Sequence, residues 1–176
     1  EALVRLSEYN LSPGKFIPIA EESGLISELG RWVTKRAVEQ LAAYKEQGLA
    51  PKQISINFSA KQLRDKGYIS FLQEILQEKD IEPGLIEIEI TESILIEREA
   101  EAVEFLNDLS ELGVKLALDD FGTGYSSLNY LTYIPLDKIK LDRSLNDKSL
   151  QEKGLALGSL IELFHSLDLP VVAEGI

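Results

Sequence analysis

The sequence predicts an α/β fold of parallel βα units whose strands behave like those of a barrel. Three observations lead there. Short β-branched runs alternate with longer segments of helical period, strand ends recur at nearly constant spacing, and most strands carry one oily and one polar face. Taken in order, Ala2–Leu6 is a candidate first strand. Ser27–Gln47 has helical period, with Leu29, Trp32, Val33, Ala37, Leu41 and Tyr44 on one stripe and a stop at Gly48. Gln53–Phe58 (QISINF) reads as a strand, and Tyr68–Glu78 as a helix carrying Ile69, Leu72, Ile75 and Leu76. Leu85–Ile90 (LIEIEI) is a strand, followed by a helix over Glu97–Leu112 that stops at Gly113. Val114–Asp119 (VKLALD) and Lys138–Asp142 (KIKLD) are strands, Leu155–Leu167 a helix, and Pro170–Glu174 (PVVAE) the last strand. Glycine just past a helix suits the left-handed cap position.

The strand ends Asn57, Glu89, Asp119, Asp142 and Glu174 follow one another at steps of 32, 30, 23 and 32 residues. A βα unit takes about 30 residues, so the third connection must be short or irregular. A closed eight-stranded barrel needs about 250 residues, and this chain has 176. Length therefore leaves two options, an open doubly wound sheet or a barrel missing pieces. The strand faces favour the barrel. Ile86, Ile88 and Ile90 oppose Glu87 and Glu89; Ile54, Ile56 and Phe58 oppose Ser55 and Asn57; Ile139 and Leu141 oppose Lys138, Lys140 and Asp142. An open α/β sheet, covered on both sides, would give continuous apolar runs instead. A half-solvated antiparallel sheet would also alternate, but the helices between strands are too long for hairpins.

Composition narrows the chemistry. The chain has 44% hydrophobic and 27% charged residues, the balance of a globular protein, and no linker or low-complexity stretch divides residues 1–176. With 30 acidic against 18 basic residues its net charge is −12, which argues against a broad electrostatic grip on DNA, RNA or anionic lipid. No apolar run reaches the roughly 18 residues of a membrane span. There is no cysteine and one histidine, His165, so thiolate chemistry and multi-histidine zinc sites are excluded. His165 reads as a packing or surface residue, and Trp32 and Phe164 as core at helical spacing.

The polar face gathers Asn57, Glu89, Asp119, Lys140 and Glu174 at the C-terminal ends of the strands, where barrels of this kind place active sites. Any one of these carboxylates alone reads as a loop residue. Three around one lumen need a cation beyond a single lysine. Oxygen donors without histidine or cysteine suit a hard divalent ion, Mg2+ or Mn2+.

The longer motifs name a family. Asp119–Leu128 reads DDFGTGYSSL, and Glu1-Ala2-Leu3 runs on to Val4-Arg5. With them stand FIPIAEESGLI (Phe16–Ile26), INFSAKQL (Ile56–Leu63), EITES (Glu89–Ser93), KIKLDRS (Lys138–Ser144) and VVAEG (Val171–Gly175). This set, in this order, resembles the EAL-domain family of cyclic-di-GMP phosphodiesterases over essentially the whole chain. The resemblance implies a TIM-like (β/α)8 barrel that hydrolyses cyclic-di-GMP to linear pGpG with two Mg2+ or Mn2+ ions. It implies Glu1, Asn57, Glu89 and Asp119 as metal ligands, Asp119 shared between both ions, and Asp120 as a ligand of the second. Lys140 matches the lysine that holds the attacking water, Glu174 the AEG glutamate at the metal–water cluster, and Arg5 the arginine that contacts the substrate phosphate. Glu92 matches the glutamate that anchors the Asp-Asp loop. Gly122 and Gly124 would let that loop bend, and Tyr125 or Tyr133 could meet a guanine base or simply pack.

By the same resemblance, family members often follow sensor or GGDEF domains, form homodimers through helices near the Asp-Asp loop, and work in the cytoplasm, where the messenger is found. Two departures stand out. The family's preceding strand and its segments after AEG are missing from the sequence, so the expected barrel lacks its first and last strands, and Leu6–Pro13 is shorter than the usual connection. The alternative to an enzyme is a non-catalytic cyclic-di-GMP receptor or signalling module, or more weakly a dimerisation module. Degenerate receptors usually lose metal ligands, whereas Glu1, Asn57, Glu89, Asp119, Asp120, Lys140 and Glu174 are all present here.

Overall fold

A computed structural model describes residues 1–6, 11–49, 51–122, 128–145 and 155–174. Five strands form one sheet: β1 (Ile54–Phe58), β2 (Ile86–Thr91), β3 (Lys115–Phe121), β4 (Lys138–Leu141) and β5 (Val171–Ala173). Every neighbouring pair is parallel, and the spatial order is the chain order, β1-β2-β3-β4-β5. A doubly wound sheet reverses its strand order at a switch point. An order that only advances is the arc of a β/α barrel, and this resolves the choice that length left open.

The helices are α1 (Pro13–Ser23), α2 (Ile26–Glu46), α3 (Tyr68–Glu78), α4 (Ser93–Leu112) and α5 (Leu155–Ser166). The short 23-residue step is explained between β3 and β4, where the described connection holds only a 3-10 turn over Leu128–Thr132. The oily strand faces meet the helices as expected: Ile86, Ile88, Ile90, Leu116 and Leu118 are fully buried, with Leu72, Leu106 and Leu109 against them. Truncating one of these, such as Leu106→Ala, costs about 2–5 kcal/mol of stability.

Two expectations are corrected and one helix is added. Ala2–Leu6 is not a strand: Ala2 makes a single parallel bridge to Ile56, its N–H donating to Ser55 O at 2.8 Å, and Leu6 turns back onto Leu11. Helix α1 is absent from the sequence reading although its signals are present, Pro13 in the first turn and Gly24 in the left-handed conformation at its end. Pro18 inside it breaks the ordinary helical pattern. Trp32 is not core but 55% exposed. The buried face of α2 is Ile26, Gly30, Thr34, Ala37, Val38 and Leu41, rotated from the apolar stripe. The reason is local. Thr34 and Tyr68 share a 2.8 Å hydroxyl hydrogen bond, and a Cβ at Gly30 would lie 1.9 Å from Gln62 Nε2, so a polar and a small residue take the inner positions. Phe164 is fully buried, packed edge-on against Phe121, and His165 is exposed. Gly124 and Tyr125 lie outside the described residues.

Candidate active site at the strand rim

The side chain of Lys140 organises the polar face of the sheet. Its Nζ lies 2.9 Å from Glu89 Oε1 on β2, 3.1 Å from Asp119 Oδ2 on β3 and 2.8 Å from Glu174 Oε1 just beyond β5. Strand parity alone brings these four together, because each sits on the lumen side near the C-terminal end of its strand. Burial makes the arrangement energetic: Glu89 is 3% exposed, Asp119 7% and Lys140 9%. Desolvation lowers the Lys140 pKa more than any single partner raises it. The hydrogen bonds to Glu174, Glu89 and Asp119 together nevertheless carry it above the usual lysine value. Lys140 is therefore a fixed cation and not a base at neutral pH. Glu89 is held above the usual carboxylate value, first by burial and then by the charges of Asp119 and Glu1, with Lys140 opposing.

Asp120 joins the group by a backbone device. Neighbouring strand residues ordinarily point to opposite faces, yet carboxylate oxygens of Asp119, Asp120 and Glu174 all lie within 4.8 Å of one another. Asp120 adopts φ 54°, in the left-handed region, and the β3–β4 register shifts between Leu118 and Phe121. That irregularity re-aims the second aspartate. The cost of a left-handed non-glycine residue is met at a place where chemistry gathers. The Asp120 pKa is raised, first by burial and then by the charges of Asp119, Asp142 and Glu174.

Glu92, just beyond β2, accepts a hydrogen bond from the Gly122 N–H at 3.0 Å and so fixes the backbone two residues after Asp120. Gly122 has φ 99°, and a Cβ there would lie 2.1 Å from Leu145 Cδ1. Only glycine fits that turn.

On the other flank, Asn57 Nδ2 donates to Glu1 Oε1 at 2.6 Å. Glu1, Arg5 and Asn57 are exposed, unlike Glu89, Asp119 and Lys140. Among the described residues Arg5 pairs with none of the rim carboxylates; its Nη1 donates to Val4 O at 2.9 Å. It lines a cavity of about 460 Å³ together with Glu21, Asn57, Ser59, Glu89 and Thr91. The cavity adds two residues that the sequence reading did not single out. Ser59 Oγ donates to Glu21 Oε1 at 2.5 Å, joining α1 to the end of β1. Ser59 was discoverable as the first residue of the capping box Ser59–Gln62. Glu21 gave no comparable signal, since α1 itself was not assigned.

The donor set suits a hard divalent cation. Glu89 Oε2 is buried without a hydrogen-bond partner among the described residues, as are Glu92 Oε2 and Glu87 Oε2, the last with Lys138 Nζ 2.6 Å away; of the three, only Glu89 belongs to the Lys140 cluster, where a cation could reach it. Beside it the acids outnumber the single ammonium, and every available donor is oxygen. The profile of the EAL domain family matches residues 1–176. The chain belongs to the EAL domain family. This EAL domain is 39% identical over 181 residues to the cyclic di-GMP phosphodiesterase PdeR of Escherichia coli (strain K12), covering 100% of this chain and 27% of PdeR. It is 36% identical over 181 residues to the signaling protein YkoW of Bacillus subtilis (strain 168), covering 100% of this chain and 22% of YkoW. The chain thus spans about a quarter of the length of these curated relatives. Among solved structures, the PaMucR phosphodiesterase in complex with c-di-GMP superposes with a TM-score of 0.85 at 35% identity, over 94% of this chain and 68% of that one. Among the described residues no helix of the EAL domain is long and apolar enough to cross a membrane.

Proposed function

We propose that this EAL domain hydrolyses one phosphodiester bond of cyclic-di-GMP, giving linear pGpG, with two Mg2+ or Mn2+ ions held by Glu1, Asn57, Glu89, Asp119 and Asp120. The observation that carries this reading is the surplus of carboxylates around Lys140, with one Glu89 oxygen buried and unpaired. The family supports it, as do PdeR and the c-di-GMP complex of PaMucR. Divalent ions in such a site supply an acidified water and offset the charge of a dianionic substrate, which a protein of net charge −12 would otherwise repel.

The chain's own groups do the rest. Lys140, kept protonated by its carboxylate partners, donates hydrogen bonds that hold the water and a phosphoryl oxygen. Water oxygen bonds to phosphorus as the bond from phosphorus to the 3′-oxygen breaks. The proton that the water gives up goes to the departing 3′-oxygen, which becomes a hydroxyl, and the phosphate stays on the 5′-oxygen of the product. Glu174 keeps Lys140 oriented from the β5 side, and Arg5, which lines the adjoining cavity, meets the substrate phosphate. Glu92 holds the backbone after Asp120 in place through Gly122. A cytoplasmic setting follows from the substrate.

The test is chromatographic assay of cyclic-di-GMP with the purified protein plus Mg2+ or Mn2+, then with EDTA. Metal-dependent appearance of pGpG is expected. Tight nucleotide binding without product would replace this reading with that of a cyclic-di-GMP receptor.

A further inference from the structure

Beneath the rim, the same face of the sheet carries a second ion pair. Lys138 Nζ lies 2.6 Å from Glu87 Oε2, and Ser55 Oγ donates to Glu87 Oε1 at 2.8 Å. Lys138 Nζ also reaches Gln53 Oε1 at 3.5 Å. Glu87 is 2% exposed, as deeply buried as Glu89 above it.

The two pairs repeat one geometry. Glu87 and Glu89 are two residues apart on β2, and Lys138 and Lys140 are two apart on β4, so all four side chains share the lumen face. Each pair spans β3, which lies between β2 and β4. The β3 residue between the two rungs is Ala117, in register with both Glu89 and Lys138 and fully buried. A methyl group there leaves room for long side chains to cross above and below it.

The charges on this face do not balance freely. Among the described residues, Glu87, Glu89 and Asp119 on the strands and Glu174 just beyond β5 face two ammonium groups, Lys138 and Lys140. The third lysine of the face, Lys115, stands in register with Glu87 on β3 but is engaged by Asp137 at 2.7 Å. Glu87 without Lys138 would be a buried carboxylate with no cation, and such a charge recruits whatever cation it can reach. Lys140 is the next ammonium along the same strand.

We propose that Lys138 is a positioning residue: by neutralising Glu87 in the lower lumen it leaves Lys140 to Glu89, Asp119 and Glu174 at the rim. Its effect on catalysis rests on the phosphodiesterase reading above; its effect on the position of Lys140 does not. The lower pair is thus a partition of charge, keeping one lysine for each layer. A role for Lys138 in simple packing would leave the Lys140 contacts untouched.

The experiment compares four proteins: wild type, Lys138→Met, Lys138→Arg and the double variant Lys138→Met/Glu87→Gln. Each is examined by crystallography and by steady-state hydrolysis of cyclic-di-GMP. In Lys138→Met, Lys140 Nζ is expected to leave Glu174 Oε1, from which it stands 2.8 Å away in the native chain, and to turn toward Glu87. Its kcat is expected to fall about 100-fold with KM little changed, the loss associated with a misplaced reacting group. Lys138→Arg keeps the charge and should retain activity. The double variant removes the orphaned carboxylate, so it should return Lys140 to the rim and recover most of the kcat. Should Lys138→Met not fold, Lys138→Gln carries the same expectation with a side chain that can still hydrogen-bond Glu87. The proposal is overturned if Lys140 keeps its three rim partners in Lys138→Met, or if the double variant is no better than the single. A wild-type protein without hydrolysis would instead remove the phosphodiesterase reading, while the Lys140 position would still decide this one.

Discussion

Among the charge clusters of the described residues, one in the helical layer and one at the strand rim are built on opposite principles. In the helical layer Arg31 on α2 meets Asp65 through two parallel hydrogen bonds, Nε to Oδ2 and Nη2 to Oδ1, both at 2.6 Å. The Gly67 N–H also donates to Asp65 Oδ1, and the guanidinium lies 5.0 Å from the centre of the Phe71 ring. One cation answers one anion, and both carboxylate oxygens are satisfied. At the rim, one ammonium answers three carboxylates, and a Glu89 oxygen is buried without a donor. A balanced pair ties α2 to the segment before α3. An unbalanced cluster is held in place by the fold at a cost in stability, and the proposed cation site rests on that imbalance.

The largest effect expected from breaking this contrast is on activity. Asp119→Asn should lower cyclic-di-GMP hydrolysis by more than about 100-fold, because a rim carboxylate and a Lys140 partner are lost together. Thermal unfolding of the metal-free variant should show no loss of stability, since a like charge has been removed. Glu92→Gln comes next. Gly122 would keep an acceptor but lose a charged one, and activity should fall about 10- to 100-fold, the range seen when a supporting partner of a site is altered. A melting curve close to wild type would separate this from misfolding.

Asp65→Asn should do the reverse. It leaves hydrolysis unchanged and costs stability by about 1 kcal/mol, a modest figure because Arg31 is 36% exposed and solvent screens the pair. Urea unfolding measures it.

The smallest effect is a difference of sign with pH. Asp65 is held below the usual carboxylate value, first by its hydrogen bond from Arg31. Its contribution is present above the unfolded pKa, near 4, and is lost as pH falls through the lower folded value. Glu89 and Asp120 are raised, both first by burial, so in the metal-free protein they cost stability at neutral pH. That cost is relieved as pH falls through their folded values toward the unfolded ones. Urea titrations across acid pH should therefore show stability rising as pH falls toward about 4 and dropping below it, with Asp65→Asn flattening only the acid limb.

The legible part of the fold was the part governed by period. β2 and β3 alternate cleanly, α3 spans Tyr68–Glu78 as its apolar spacing predicted, and strand parity alone put Glu89, Asp119 and Lys140 on one face. What escaped were places where a specific contact outweighs hydrophobicity. On α2 the Thr34–Tyr68 hydroxyl pair and the Gly30–Gln62 approach turned the helix so that Trp32 faces outward. In α1, Pro18 hid a helix with good terminal signals. At the rim, the membership of Asp119 in one face was readable, but the turn that brings Asp120 beside it depends on a positive φ and a register shift. No residue pattern encodes those directly; the resemblance implies Asp120 as a ligand without the turn that brings it there. The lower Glu87–Lys138 pair lay in plain view as alternating charge, and only the distances revealed which lysine serves which layer.

The central claim is that the surplus of carboxylate at the rim is a cation site, and titration of Mn2+ into the nucleotide-free protein by calorimetry tests it most directly. Wild type is predicted to bind Mn2+, EDTA to reverse it, and Asp119→Asn to bind markedly more weakly while Asp65→Asn binds as wild type does. Binding unaffected by Asp119→Asn, or no binding at all by a folded wild-type protein, would contradict the account.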